Sequence, residues 1–128
     1  MPAYSANVIP LSIAPHDVTN VWNAETPAPG VNAAAASAQV ALVANPTGSA
    51  RSITVAGSFS GAPGAFEIDI QAADVDADAS YVTIAGGAIT AVNANNSFYW
   101  EGEIAARFVR LQMPSRANGV SVTATIGG

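Results

Sequence analysis

The chain has 128 residues, no cysteine and no lysine, and four arginines against nine carboxylates leave a net charge of −5. That composition excludes disulfides and thiolate metal sites, and it excludes a nucleic-acid surface, which needs clustered cations to neutralise phosphates. Charged residues make up only 10% of the chain, against roughly 25% in ordinary soluble domains, so Ser, Thr, Asn, Gly and Ala must cover much of the surface, as suits a protein packed against neighbours as well as one free in solution.

A chain of this length can bury one core without staples. Half of its residues are apolar, but many are alanines, so the core must come from Ile, Val, Leu, Phe, Tyr and Trp. Met1-Pro2-Ala3-Tyr4-Ser5 has neither a basic region nor a long apolar run, and no segment reads as a membrane span. The expectation is a protein made and folded in the cytoplasm, with no membrane partner.

In chain order, residues 4–13 form a first apolar stretch (Val8, Ile9, Leu11, Ile13), and Pro10 within it predicts an edge strand or a bulge. Residues 1–15 read as an N-terminal arm or edge strand and residues 16–128 as a single β-sandwich domain. A short strand is expected over Asp17 to Trp22, and a loop over Asn23 to Gly30, where two prolines and a glycine forbid regular pairing. The alanine run from Ala33 is compatible with one turn of helix and leads into a strand over Gln39 to Val43. Asn45-Pro46-Thr47-Gly48 is a turn.

Arg51 to Phe59 is expected as a strand with Ile53 and Val55 inward, and Ser60 to Gly64 closes a hairpin into the next. There Phe66, Ile68 and Ile70 alternate with Glu67, Asp69 and Gln71, the period of two that a half-buried strand requires. Asp74 to Ser80 is a polar loop. Tyr81 to Ala85 and Ala88 to Val92 read as two short strands around a Gly86-Gly87 turn. Ser97 to Glu103, Arg107 to Met113 and Gly119 to Gly127 follow; in the last, Val120, Val122, Ala124 and Ile126 share a face. The pattern argues for an all-β, antiparallel sandwich or barrel.

Phe66 to Gln71, the acidic loop, the strand led by Tyr81, Ala106-Arg107-Phe108-Val109-Arg110-Leu111 and the closing Val120-Ser121-Val122-Thr123-Ala124-Thr125-Ile126 resemble the ordering in galactose-binding-like, discoidin-type jelly-roll modules. That resemblance narrows the expectation to an all-β, antiparallel, jelly-roll-like β-sandwich of about eight to ten short strands. The hairpin-rich, Thr/Ala/Gly-rich, Lys-poor and Cys-free style resembles small structural proteins of tailed-phage virions. The second resemblance implies a non-enzymatic virion protein, a head decoration (cement) protein that binds the major capsid protein or other virion proteins, as a homo-oligomer. The first implies carbohydrate binding, as on a tail or fibre component.

Asp74, Asp76 and Asp78 place three carboxylates at alternate positions, where a curled loop could bring their oxygens together on Ca²⁺. Ala79 and Ala85 stand where an EF-hand loop would need its Gly and its bidentate Glu, so that loop is excluded. Arg107 and Arg110 fall on opposite faces of a strand, one toward solvent or a partner and the other against a carboxylate such as Glu101 or Glu103. Phe98 and Trp100 point one way and Tyr99 the other, so Tyr99 can pack, stack on a sugar or meet a partner. Tyr4, Val8, Ile9, Trp22, Tyr99, Arg107 and Arg110 are the candidate interface residues, with Pro2 to Pro15 as a shell-binding arm. His16, the single histidine, reads as a turn residue. No Gly-x-Ser-x-Gly elbow accompanies it, and no acid–base machinery is visible.

Overall fold

The structure, a computed structural model, describes residues 8–11, 18–26, 40–43 and 50–128. Nine strands lie among them: β1 (Val8–Leu11), β2 (Val18–Glu25), β3 (Val40–Val43), β4 (Arg51–Phe59), β5 (Phe66–Ala73), β6 (Val82–Ile89), β7 (Ser97–Ile104), β8 (Phe108–Arg116) and β9 (Val122–Gly127). A single 3-10 turn, Asp78–Ser80, interrupts the β5–β6 connection.

The strands form a five-stranded sheet in the order β1-β3-β8-β5-β6 and a four-stranded sheet in the order β2-β9-β4-β7. Pairing is nested. β5 pairs with β6, β4 with β7, β3 with β8 and β2 with β9, all antiparallel, and successive nested pairs alternate between the two sheets. Lateral pairs β5–β8 and β4–β9 then join them. A long double ribbon rolled in this way is a jelly roll, as the resemblance to jelly-roll modules implies. β1 adds a parallel edge strand beside β3. Pro10 lies in that edge strand, where a missing N–H is tolerated.

The period-two residues fill the space between the sheets. Ile53 and Val55 of β4, Phe66, Ile68 and Ile70 of β5, Val109, Leu111 and Met113 of β8, and Val122, Ala124 and Ile126 of β9 are all buried. Each large side chain buried in this way contributes roughly 1.5–3 kcal/mol. Phe59 packs edge-on against Phe66, with ring centroids 4.9 Å apart, and lies 5.8 Å from Phe98. Gly57 keeps this layer closed: a Cβ there would stand 2.4 Å from the Thr123 carbonyl oxygen and 2.6 Å from the Phe98 ring.

Three expectations are corrected. The proline-rich loop begins later than Asn23, because β2 runs to Glu25. It does so through two register shifts, at Asn20/Trp22 and Trp22/Glu25, with Ala24 at φ +52°. The first shift turns the consecutive residues Val21 and Trp22 both inward. Ser60 to Gly64 does not close a hairpin: β4 and β5 belong to different sheets, and the segment crosses between them. Tyr81 to Val92 is not two strands around a turn. β6 is one strand pairing as Ile68↔Ile89 and Asp69↔Ala88, then Gln71↔Thr83, so residues 84–87 bulge opposite Ile70. Gly86 takes φ +73° at the bulge, and its carbonyl accepts a 2.9 Å hydrogen bond from Trp100 Nε1, linking the two edge strands β6 and β7. Tyr4, His16, the alanine run and the turn at 45–48 lie outside the described residues.

Candidate functional site

The outer face of the five-stranded sheet carries the densest polar chemistry among the described residues. Register places Gln71 of β5 beside Arg110 of β8, and Asp69 beside Gln112. Strand alternation thus sends Arg110 and Gln112 outward while Leu111 faces the core. Yet Arg110 is 1% exposed, and Gln112 and Gln71 are also buried. A buried guanidinium requires full pairing, and the 74–81 segment supplies much of it. Arg110 NH1 donates to Asp78 Oδ1 at 2.9 Å, and its Nε donates to Gln71 Oε1 at 2.8 Å. The guanidinium stacks 4.0 Å from the Tyr81 ring centroid, a cation–π contact. Gln71 Nε2 donates to Gln112 Oε1 at 2.7 Å and reaches Thr83 Oγ1 at 3.4 Å.

Tyr81 donates its hydroxyl to Asp76 Oδ1 at 2.7 Å. Burial, with that bond and the Asp76 charge, pushes its pKa well above the ordinary tyrosine value, so the phenol is held as a donor. Tyr81 and Ala73 form a small apolar cluster on which Phe108 packs. Asp69 is raised from 3.8 to about 6, first by burial and then by the hydrogen bond and charge of neighbouring Glu67, while the Thr83 hydroxyl pulls the other way.

These contacts settle where the acidic loop points. Asp74 Oδ1 accepts from the Arg107 backbone N–H at 3.4 Å, Asp76 faces Tyr81, and Asp78 faces Arg110. Asp74, Asp76 and Asp78, the expected Ca²⁺ set, thus each meet a different protein partner. One of the two arginines was expected to snorkel or to pair with a carboxylate such as Glu101 or Glu103; Arg110 pairs with Asp78 instead. β7 and β8 belong to different sheets, and both glutamates are exposed on the other side of the molecule. Arg110 faces no partner surface, and neither does Trp22, which is fully buried in the core. Arg107 is exposed, 5.6 Å above the Phe108 ring. Val8 and Ile9 belong to β1 at the sheet edge.

The outer face of the four-stranded sheet is a different kind of surface. β4 turns Ser52, Thr54, Ala56 and Ser58 outward and β9 turns Thr123 and Thr125 outward, opposite their buried neighbours. Register aligns Ala56 with both Thr125 and Tyr99, and Thr54 with Glu101. The central side chains of this face are short, and β4 and β9 put no charge on it. Thr125 Oγ1 bonds back to the Ala56 carbonyl at 3.3 Å, and Thr123 Oγ1 accepts from Ala24 N–H at 3.0 Å. Tyr99, 62% exposed, rises from β7 along one edge beside Glu101 and Glu103, its hydroxyl 3.3 Å from Glu101 Oε2.

Gln71, Gln112, Tyr81 and Asp69 were not singled out by the sequence. The available signal was the pair of uncharged glutamines at outward positions beside Glu67, Asp69 and Arg110. Comparison of the chain with family models, with curated proteins and with solved structures returned no match.

Proposed function

We propose that this chain is a non-enzymatic structural protein of a phage virion, a capsid decoration protein that seats on the head shell through the outer face of its four-stranded sheet. The observation that carries the reading is the row of short, uncharged side chains Ser52, Thr54, Ala56, Ser58, Thr123 and Thr125 with an acidic, tyrosine-bearing edge. Short side chains lose little entropy on docking, and the hydroxyls of Thr123 and Thr125 are already engaged within the sheet. Tyr99 is a rigid anchor of the type enriched in binding hot spots, and Glu101 and Glu103 ask for a basic strip on the shell protein. The experiment mixes purified protein with shells lacking it. Saturable binding at a fixed copy number is expected, lost in Ala56→Lys and weakened in Tyr99→Ala while both variants keep the wild-type melting curve. Absence of shell binding by the wild-type protein, or full binding by Ala56→Lys, overturns the reading.

One observation favours a second reading, a carbohydrate-binding module on a tail or fibre. The exposed Tyr99 ring beside the Glu101 carboxylate offers a stacking platform with an acceptor for sugar hydroxyls. Glycan binding by the wild-type protein that Tyr99→Ala abolishes would move the assignment there.

A further inference from the structure

We propose that Asn118 is a site of spontaneous deamidation, and that its conversion opens a clasp between two loops that cross from sheet to sheet. Asn118 is followed by Gly119, and no other asparagine of the chain precedes a glycine. Both residues are exposed in the β8–β9 connection. Among the described residues the Gly119 N–H donates to no acceptor, so the nucleophile is free. A Cβ built at Gly119 meets nothing within 4 Å, so the chain has room to bring that nitrogen to the side-chain carbon.

The chemistry needs water alone. The Gly119 nitrogen attacks Asn118 Cγ, a C–N bond forms, and the side-chain nitrogen leaves as ammonia with the displaced amide proton, giving a cyclic imide. Water then opens either imide carbonyl, yielding aspartate or isoaspartate, and the second product lengthens the backbone by one methylene. Nothing is oxidised or reduced, and the chain gains one negative charge.

The consequence follows from what the side chain holds. Asn118 Nδ2 donates to the Ala62 carbonyl at 3.0 Å, reaching from the β8–β9 loop to the β4–β5 loop. The same two loops are joined by Ala117 N–H to the Ala65 carbonyl at 2.7 Å and by Ser60 and Ser121 through bonds of 2.9 and 3.0 Å. Gly64, at φ +67°, leaves the space that Asn118 occupies: a Cβ there would lie 3.0 Å from Asn118 Nδ2. Deamidation replaces this donor with a carboxylate oxygen facing a carbonyl oxygen, so a bond becomes a repulsion.

The test incubates the native protein at mildly alkaline pH and maps peptides by mass, beside Gly119→Ala, whose methyl has open space in the fold. The expected result is ammonia release and a gain of one mass unit at Asn118 ahead of every other asparagine, slowed severalfold in Gly119→Ala. Asn118→Asp should show faster hydrogen exchange at the Ala117 N–H than the wild type. An Asn118 that stays intact while the same chain converts there in urea, or equal ageing of Gly119→Ala, overturns the modification site. Unchanged Ala117 exchange in Asn118→Asp overturns the clasp.

Discussion

Arg110 shows how a residue's neighbours decide its role. Its strand position says outward, and an outward arginine on an uncharged surface reads as a partner anchor. The 74–81 segment folds back over it instead, and the guanidinium becomes the node joining β5, β8 and the β5–β6 connection through Gln71 and Asp78. The Asp78 end of the ion pair is 31% exposed, so the pair is only partly desolvated at that end. The arginine, at 2%, is not. Removing it leaves two acceptors without their donor and uncovers the Tyr81 ring. Arg110→Ala is expected to cost about 3 kcal/mol, the range for breaking a buried pair, and Arg110→Lys should recover only part of it, since an ammonium cannot reproduce the Nε/NH1 fork. Urea midpoints of the two variants check this. Alternation showed that Arg107 and Arg110 part company. It could not show which carboxylate answers Arg110, because that partner arrives from a connection whose path is set by the whole roll.

At the scale of the strand, β5 carries a pH-dependent row. Glu67 and Asp69 are same-face neighbours two residues apart, and next to them Gln71 ties β5 to both β6 and β8. Because the Asp69 pKa is raised from 3.8 to about 6, the folded state holds this proton more tightly than the unfolded chain does. The stabilisation is complete below pH 3.8 and is lost as the pH rises through about 6. Asp69→Asn keeps a donor toward Glu67 without the charge. It should therefore exceed the wild type in stability above pH 6, by about 1 kcal/mol once solvent screening of this partly exposed group is allowed for. The two proteins should converge at low pH in a urea titration series; a constant difference across the series would rule out Asp69 as the titrating group. β5 itself was legible from Phe66, Ile68 and Ile70, because a half-buried strand writes its two faces into alternate residues. β6 was not. Gly86 and Gly87 signal a turn locally, and only the continuous pairing of β5 with residues on both sides of them makes the feature a bulge. The β4–β5 segment failed for a related reason: Ser60 to Gly64 has hairpin chemistry, but whether a turn reverses within a sheet or crosses between sheets is decided by distant strands.

At the scale of the whole molecule, nested pairing makes the two ends of the chain unequal. β1 is an edge strand paired only with β3, outside every nested pair. Removing residues 1–11 therefore leaves an eight-stranded roll with both central lateral pairs in place. β9 lies between β2 and β4, and it brings Val122, Ala124 and Ile126 to the core. Removing residues 121–128 deletes those side chains and strips β2, with buried Trp22, of its pairing partner. Two large buried side chains at roughly 1.5–3 kcal/mol each, with the lost pairing of β2 and β4 added, remove much of the about 5–15 kcal/mol that stabilises a domain. The N-terminal truncation should melt in one cooperative step with its aromatic near-UV signal retained, and the C-terminal truncation should show neither. The same truncated protein divides two modes of shell attachment. Val8–Leu11 is engaged in a sheet edge, and the proposed decoration reading puts the shell contact on the Ala56–Tyr99 face instead. A folded N-terminal truncation that still saturates shells assigns the contact to that face, and one that folds yet no longer binds assigns it to the first eleven residues instead.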